Sequence, residues 1–376
     1  AQTYAISLND ALQTAKEHSP RLRGAEMAIR QAQAAKGSIM EIAPTSFNYS
    51  WGQLNSAEKK DKQLSIEQNF GSLLTPHYKN VLVKTQVTTS TLYKQKKKKE
   101  ITAEVKRAWT YWQYAYNVCS VYADYEQLAN ELNRIGELRL KQGEITLLEK
   151  NMMSTAAADM HNRLIQAREE LKIAAQRFQL SCCSDSPILP NDTVLTVFPE
   201  QQQMALPLSQ VHTDYFNSMT NQKKAQLGVE KSRFFPELSV GYTRQNILPI
   251  KNLNAWSVGL AFPIFFGSQS SRVKQAKLAI ATAQLEAETN IRELNNKIKE
   301  IEGSMNKYKT NLKYYQDSAL KEAEELTKSA RAQLNQSEIS PAEFIQSIAS
   351  ARDIKIGYIE TVYQYNVAVL EYELYK

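Results

Sequence analysis

"LKQGEI" occupies Leu140–Ile145, and "LNQSEI" occupies Leu334–Ile339. Four of the six letters agree, the copies lie 194 residues apart, and each falls where a very long helical pattern stops. The surroundings agree as well. "ELNRIGELRLKQGEI" from Glu131 and "ELTKSARAQLNQSEI" from Glu325 align without a gap. Upstream, "APTSFNYSWGQLN" (Ala43–Asn55) resembles "FPELSVGYTRQN" (Phe235–Asn246), with Pro44 and Pro236 offset by 192. "IEQNFGS" (Ile66–Ser72) answers "FPIFFGS" (Phe262–Ser268) at an offset of 196. Similar offsets at three landmarks define an internal duplication. Each half reads helix, strand, strand, long helix, break, long helix.

The helices are long because nothing interrupts them. His77–Ile135 holds 59 residues without Gly or Pro, about 90 Å at 1.5 Å per residue. In the second half the apolar positions run Ala287, Ile291, Leu294, Ile298, Ile301, Met305, Tyr308, Leu312, Tyr315. That 4-3 alternation is a coiled-coil seam. Ala276, Ala283 and Ala287 are small and permit close helix approach. Breaks at Gly143 and Ser337 turn each helix back on itself, so the repeated hexapeptide is a hairpin tip, made once per half. The expected division is a first repeat over 1–180, a linker over 181–210 and a second repeat over 211–376. The first holds a helix at Leu8–Ile42, strands at about 45–55 and 62–70, and a helical hairpin at 77–180. The second holds a helix, strands at about 237–246 and 254–262, and a hairpin at 268–376. Pro187, Pro190, Pro199 and Pro207 make the linker irregular.

The strand patterns alternate with period two. Phe47, Tyr49 and Trp51 share one face against Ser46, Asn48 and Ser50. Trp256, Val258, Leu260 and Phe262 oppose Ser257, Gly259 and Ala261. Leu64, Ile66 and Phe70, then Leu238, Val240 and Tyr242, complete two further apolar faces. Each run is about ten residues, the length of a tilted strand across a bilayer. "NSAEKKD" (Asn55–Asp61) and "NILPIKNL" (Asn246–Leu253) read as hairpin loops. Four strands cannot close a barrel alone, and open edges in lipid leave unpaired backbone groups. Lipid-exposed strands therefore require protomers to share one barrel, eight strands from a dimer or twelve from a trimer. The rival is a small soluble sheet packed on a helix.

Composition agrees with long elements and narrow buried seams. The 376 residues suffice for two or three globular domains, yet only 12 Gly and 11 Pro punctuate them, and mean hydropathy is −0.47 despite 43% apolar residues. The net charge of +7, from 46 basic and 39 acidic residues, is spread out and implies no partner. The lysine run "YKQKKKKE" (Tyr93–Glu100) wraps around a helix and reads as a solvated face, not a nucleic-acid site. Cys119 and the adjacent Cys182 and Cys183 form no disulfide framework, and the four His have no metal-ligand spacing to them. Met152, Met153, Met160 and His161 read as packing rather than a metal site, as do Trp109, Tyr111, Trp112, Tyr114 and Tyr116. No run of 18 apolar residues predicts a membrane helix, which leaves a β-barrel allowed. "AQTYAI" without Met reads as a mature terminus after signal-peptide removal. No phosphate-binding Gly loop, zinc-protease motif or nucleophile motif is present, so neither an enzyme nor a cofactor is expected.

The chain at this point resembles the TolC-like outer-membrane efflux proteins over essentially its whole length. The residues that carry the resemblance are "ISLNDALQTAKEHSPRLRGAEMAI" (from Ile6), "FFPELSVGY" (from Phe234), "LAFPIFFGSQSSRVKQAKLAI" (from Leu260), and the tips "KQGEITLLE" and "NQSEISPAEF". "TSFNYSWGQLN" and "LKQGEITLLEK" look most like the branch serving heavy-metal resistance-nodulation-division pumps. One departure is Ala1, where several such relatives carry a lipoprotein Cys. The resemblance implies a mainly α fold with a transmembrane β-barrel: a homotrimeric channel-tunnel whose protomers each give four strands to a twelve-stranded barrel. It also implies a twelve-helix periplasmic α-barrel, with Leu8–Ile42 and Ser181–Gln210 in an equatorial belt. The implied partners are outer-membrane lipid, a periplasmic adaptor (membrane fusion protein) and an inner-membrane resistance-nodulation-division pump. The implied role is a passive exit duct, with heavy-metal cations as cargo. Drugs or a secreted polypeptide are the rival cargo, and a soluble coiled-coil scaffold is the rival class.

A duct needs a gate and a docking surface. Glu343 and Glu149 each lie six residues past a tip, where the resemblance implies acidic residues near a lumenal constriction. Gln346 matches a second, usually acidic, family position and breaks a double acidic ring. The tips themselves, Gln142, Gly143 and Glu144 with Gln336, Ser337 and Glu338, are the expected adaptor-docking residues. The expected lipid-facing set is Phe47, Tyr49, Trp51, Leu64, Ile66, Leu238, Val240, Tyr242, Trp256, Val258 and Leu260.

Overall fold

A computed structural model describes residues 4–57, 60–199, 209–247 and 250–376. The first half contains β1 (Tyr4–Ile6), α1 (Leu8–His18), α2 (Pro20–Ala34), β2 (Ser46–Gly52), β3 (Asp61–Ser72), α3 (Thr75–Gln142) and α4 (Leu147–Ser181). After β4 (Ile188–Pro190) come α5 (Gln210–Ser232), β5 (Glu237–Ile247), β6 (Ile250–Ala261), α6 (Gly267–Tyr314), α7 (Leu320–Asn335) and α8 (Pro341–Tyr375). The chain is mainly helical, and α3 alone spans 68 residues. It continues through Gly136 because that glycine serves a close approach: a Cβ there would stand 2.3 Å from Met153 Sδ on α4.

Two compact units divide the chain. One unit comprises residues 1–23, 97–209 and 294–376. Its cores are seams between helices. Ala11 and Ala15 of α1 pack with Ile101, Val105 and Trp109 of α3 and Phe178 of α4. Ile298, Ile301, Met305 and Leu312 of α6 meet Val362, Tyr365, Val369 and Tyr372 of α8. The heptad seam is therefore buried or half-buried along α6. It then breaks phase: Tyr315 is followed by buried Ala319 and Ala323, two four-residue steps in succession. The extra residue is absorbed by a π-helical turn at Tyr315–Ala319.

The second unit comprises residues 24–96 and 210–293. Its four-stranded antiparallel sheet has the order β2-β3-β5-β6, so the two hairpins of the duplicated halves pair through β3 and β5. Helix segments of the unit meet at Gly228, where a Cβ would lie 2.8 Å from the Tyr78 ring. The Thr75 and Ser232 hydroxyls are hydrogen-bonded at 3.0 Å.

Several expectations need correction. The single helix expected over Leu8–Ile42 is α1, α2 and a 3-10 turn at Ala35–Ser38. Ser19 takes extended backbone, because a residue before proline is pushed out of the helical region, and Pro20 then opens α2 without an N–H to lose. The linker is partly ordered: β1 and β4 pair in parallel, Tyr4 with Ile188 and Ile6 with Pro190. Residues Asp192–Phe198 are then held by side-chain amides. Gln113 Nε2 donates to the Val194 carbonyl at 2.9 Å, Asn117 Nδ2 to Thr193 at 2.8 Å, and Asn366 Nδ2 to Thr196 at 2.7 Å. Pro207 lies outside the described residues.

The loop expected over Asn246–Leu253 is shorter, since β5 runs to Ile247 and β6 starts at Ile250, with Leu248 and Pro249 outside the described residues. In the first hairpin β2 ends at Gly52, not Asn55, and β3 begins at Asp61. The fully buried Asp61 carboxylate accepts from the backbone N–H groups of Leu54, Asn55 and Ser56 and from the Ser56 hydroxyl. Those donors are thereby withdrawn from any ladder; residues 58–59 lie outside the described set. Phe262 lies just past the end of β6.

The lysine run is also more engaged than a solvated face. Lys94 pairs with Glu26 at 2.6 Å, Lys97 with Glu100 at 2.6 Å, and Lys99 donates to Ser209 Oγ at 2.6 Å. Lys96 lies over the rings of Tyr215 and Phe216. Their long methylene stems pack along the helix while the ammonium groups find partners.

Candidate functional site: the strand face and the hairpin tips

Register fixes which side chains share a face of the sheet. Phe47, Ile66, Tyr242 and Trp256 form one row across all four strands. Tyr49 opposes Leu64, Val240 opposes Val258, and Leu238 opposes Leu260. Tyr242 and Trp256 contact at 5.0 Å between ring centroids. The eleven expected lipid-facing residues thus occupy one continuous surface. All are exposed or half-exposed, with Trp256 at 77%, Val258 at 73% and Trp51 at 72%. An apolar surface of this kind marks an interaction with lipid or protein. The outer edges of β2 and β6 have no strand partner among the described residues.

At the tips the same two devices recur. Gly143 (φ +74°) and Ser337 (φ +61°) adopt left-handed backbone. Glu144 N–H then donates to the Arg139 carbonyl at 2.9 Å and Gly143 N–H to Leu140 at 3.1 Å. Glu338 N–H donates to Gln333 at 2.9 Å and Ser337 N–H to Leu334 at 3.1 Å. Both are Schellman caps. Each following helix opens on a capping box: Thr146 with Glu149, and Ser340 with Glu343. Glu343 Oε2 accepts from Ser340 N at 2.8 Å and from Ser340 Oγ at 2.9 Å. Glu149 Oε2 does the same with Thr146 at 2.7 and 2.8 Å. In both carboxylates the backbone donor first, then the hydroxyl, holds the pKa below its ordinary value.

Beneath the tips, Leu132, Met153, Ala330, Leu334 and Phe344 form one buried cluster, with Ile145 and Ile339 packed on it. The two hairpins are therefore held together in this region. Gln142, Gly143, Glu144, Gln336, Ser337 and Glu338 are all exposed. Glu149 and Glu343 are each bonded within their own box rather than to each other, and Gln346 is exposed one turn beyond Glu343. Sequence reading did not single out Arg139, whose guanidinium bridges the tips, or the exposed pair Leu147 and Leu148. The bridge leaves no local sequence pattern, whereas Thr-x-x-Glu and Ser-x-x-Glu are visible capping signals.

The packing expected of the remaining candidates holds for some of them, while Met152, Tyr116 and His161 are exposed. Met153 and Met160 are buried, His161 Nδ1 lies 2.8 Å from Glu126, and Trp109 and Trp112 are buried. Among the described residues no group of three or more His, Cys, Asp or Glu is placed to hold a metal ion. The three cysteines are free, and burial pushes the Cys182 thiol up to about 11, which keeps it protonated and unreactive. Among the described residues no helix is long and apolar enough to cross a membrane.

No protein-family model matches the sequence, nor does any curated protein. Solved structures do match. The CusC structure, described in terms of transmembrane channel formation, superposes with a TM-score of 0.80 at 14% identity, covering 98% of this chain and 92% of CusC. The outer-membrane channel CmeC of Campylobacter jejuni gives 0.79 at 14%, over 98% of this chain and 84% of CmeC. The Vibrio cholerae outer-membrane protein VceC gives 0.80 at 14%, over 97% and 94%. CusC and CmeC are thus described as channels and VceC as an outer-membrane protein. The protomer fold expected from the TolC-like resemblance, paired helical hairpins with four strands, is the fold this chain adopts.

Proposed function

We propose that the chain is one protomer of an outer-membrane exit duct in a tripartite efflux system. Three copies place twelve strands in a barrel across the outer membrane and their hairpins in a periplasmic α-barrel. The observation that carries this reading is the apolar row Phe47–Ile66–Tyr242–Trp256, exposed or half-exposed and continuous across a sheet whose two edges have no strand partner among the described residues. In hydrocarbon an open edge costs several kcal/mol for each unpaired group. Closure with copies of the same sheet removes both edges at once. Shared fold with solved outer-membrane channels supports the same reading.

The duct is passive: an inner-membrane resistance-nodulation-division pump supplies the work, and a periplasmic adaptor meets the exposed tip residues Gln142, Gly143, Glu144, Gln336, Ser337 and Glu338. Glu343 and Glu149 form the gate. Three Glu343 carboxylates close to a threefold axis attract cations and repel one another. Each keeps Oε1 free of hydrogen bonds among the described residues, because Oε2 alone serves the capping box. The neutral Gln346 leaves this a single acidic ring. Heavy-metal cations are the proposed cargo, on the resemblance of the first strand and first tip. Drugs or a polypeptide are the second reading, and the fold neighbours do not separate them.

Membrane fractionation tests the duct. The protein should sediment with the outer membrane and need detergent; a water-soluble monomer would sink the reading in favour of a scaffold. Conductance of Glu343→Ala in planar bilayers tests the gate, and unchanged cation selectivity with unchanged open probability would remove it. Metal against drug susceptibility of a deletion strain decides the cargo.

A further inference from the structure

The pleat that gathers the aromatics on one face of the sheet sends a second set to the opposite face. Ser46, Glu67, Gly241 and Ser257 form its middle row. Asn48, Ser65, Thr243 and Ala255 lie on one side of that row, and Asn69, Ser239 and Gly259 on the other. This face is small and polar. A Cβ on Gly241 would stand 2.5 Å from Ser257 Oγ, so the hydroxyl lies over the glycine and nothing bulky flanks Glu67 from β5.

The charges on this face have one sign. From the Glu237–Ala261 row to the Gln245–Leu253 row it holds no lysine or arginine, although the chain as a whole carries +7. Lys62 and Arg244 belong to the aromatic face. Between those rows the acids are Glu67 and Glu237, and Asp61 stands just beyond them, opposite Gly52. Asp61 is fully buried and committed to its loop, and Glu237 accepts from Asn69 Nδ2 at 3.1 Å. The Glu67 carboxylate is exposed and has no hydrogen bond or ion pair among the described residues.

We infer that Glu67 is a cation-selecting residue of the barrel wall, acting on hydrated cations independently of Glu343 and Glu149. This rests on the duct reading, in which the polar face lines the lumen and three copies set three Glu67 carboxylates at one level. A fixed charge in a wide, water-filled passage acts over about a Debye length, roughly 10 Å at 0.1 M salt and 3 Å at 1 M. Its influence is therefore strong in dilute salt and lost in concentrated salt.

The test is the reversal potential of the full-length protein in planar bilayers across a KCl gradient. Glu67→Gln should lower the cation-to-anion permeability ratio by about twofold or more near 0.1 M, with little effect near 1 M. Glu67→Asp should keep the wild-type ratio, and Glu67→Gln should lower it again in a Glu343→Gln background. A Glu67→Gln channel of normal conductance with the wild-type reversal potential at low salt would overturn this inference and leave the duct standing. A wild-type protein that forms no channel would overturn both.

Discussion

Arg139 Nη2 donates to the main-chain carbonyl of Leu334 at 3.0 Å, joining the last turn of α3 to the last turn of α7. The same carbonyl accepts the Ser337 N–H that forms the second tip, so one oxygen serves both the turn and the bridge. Hydrogen bonds to charged groups are worth about 1.5–3 kcal/mol. Arg139→Met, which keeps the stem, should lower stability by about 1–2 kcal/mol. The exposed Arg331–Glu131 pair at 2.7 Å joins the same helices. Arg331→Ala should cost no more than about 0.5 kcal/mol. Equal effects of the two substitutions in thermal melts would refute this ranking.

Left-handed backbone is natural for Gly143 and strained for Ser337. Ser337→Gly should stabilise the second tip by about 1 kcal/mol, and Gly143→Ala should destabilise the first by about the same amount. A Cβ at Gly143 meets nothing within 4 Å, so the penalty is conformational and not steric. Denaturant midpoints of the two variants should move in opposite directions.

The tips illustrate how much of this fold is legible in sequence. Gly143 and Ser337, Thr146 and Ser340, Glu149 and Glu343 are local signals at fixed offsets, and the duplication makes each signal appear twice. The strand faces were equally readable, since period two needs no tertiary knowledge. What escaped was non-local. The β1–β4 pairing joins Tyr4 to Ile188, and the linker is held by Gln113, Asn117 and Asn366, polar residues that look like ordinary helix surface. Pro20 was readable as a helix boundary, yet the length of the surrounding helical pattern masked it. The phase slip after Tyr315 was present in the spacing of Ala319 and Ala323, but alanine is too common in helices to announce a seam.

The π-turn is seated by a glycine. A Cβ on Gly357 would lie 2.4 Å from Tyr315 Oη and 3.2 Å from the ring carbon that bears it. Gly357→Ala should therefore cost about 1–3 kcal/mol through overpacking, despite alanine's better helix propensity. Tyr315→Phe removes the nearer atom and should recover part of that loss in the double variant. Strict additivity of the two single effects in a double-mutant cycle would show that they do not touch.

Asn366 is fully buried and works in both directions on the linker, donating to the Thr196 carbonyl and accepting from Phe198 N–H at 2.9 Å. Asn366→Leu leaves both linker groups without these partners, at about 1–3 kcal/mol each if they stay dry. The expected readout is faster proteolysis within Asp192–Phe198, with the secondary-structure content unchanged. Protection equal to wild type would mean that water replaces the amide.

The two capping boxes make the tips sensitive to acid. Glu149 and Glu343 have folded pKa values below the ordinary 4.5, because backbone and hydroxyl donors favour the charged carboxylate. A lowered folded value means that the unfolded chain binds the proton first as pH falls. The stabilisation is therefore complete above the unfolded value of 4.5 and is lost as pH drops through the lower folded value. Glutamine at the same positions still reaches the N-cap N–H but carries no charge. Wild type should exceed Glu149→Gln/Glu343→Gln in melting temperature at about pH 6 and lose that margin progressively as the pH is taken below 4.5. A margin unchanged across that range would show that the carboxylates do not titrate with folding, and that the caps act through geometry alone.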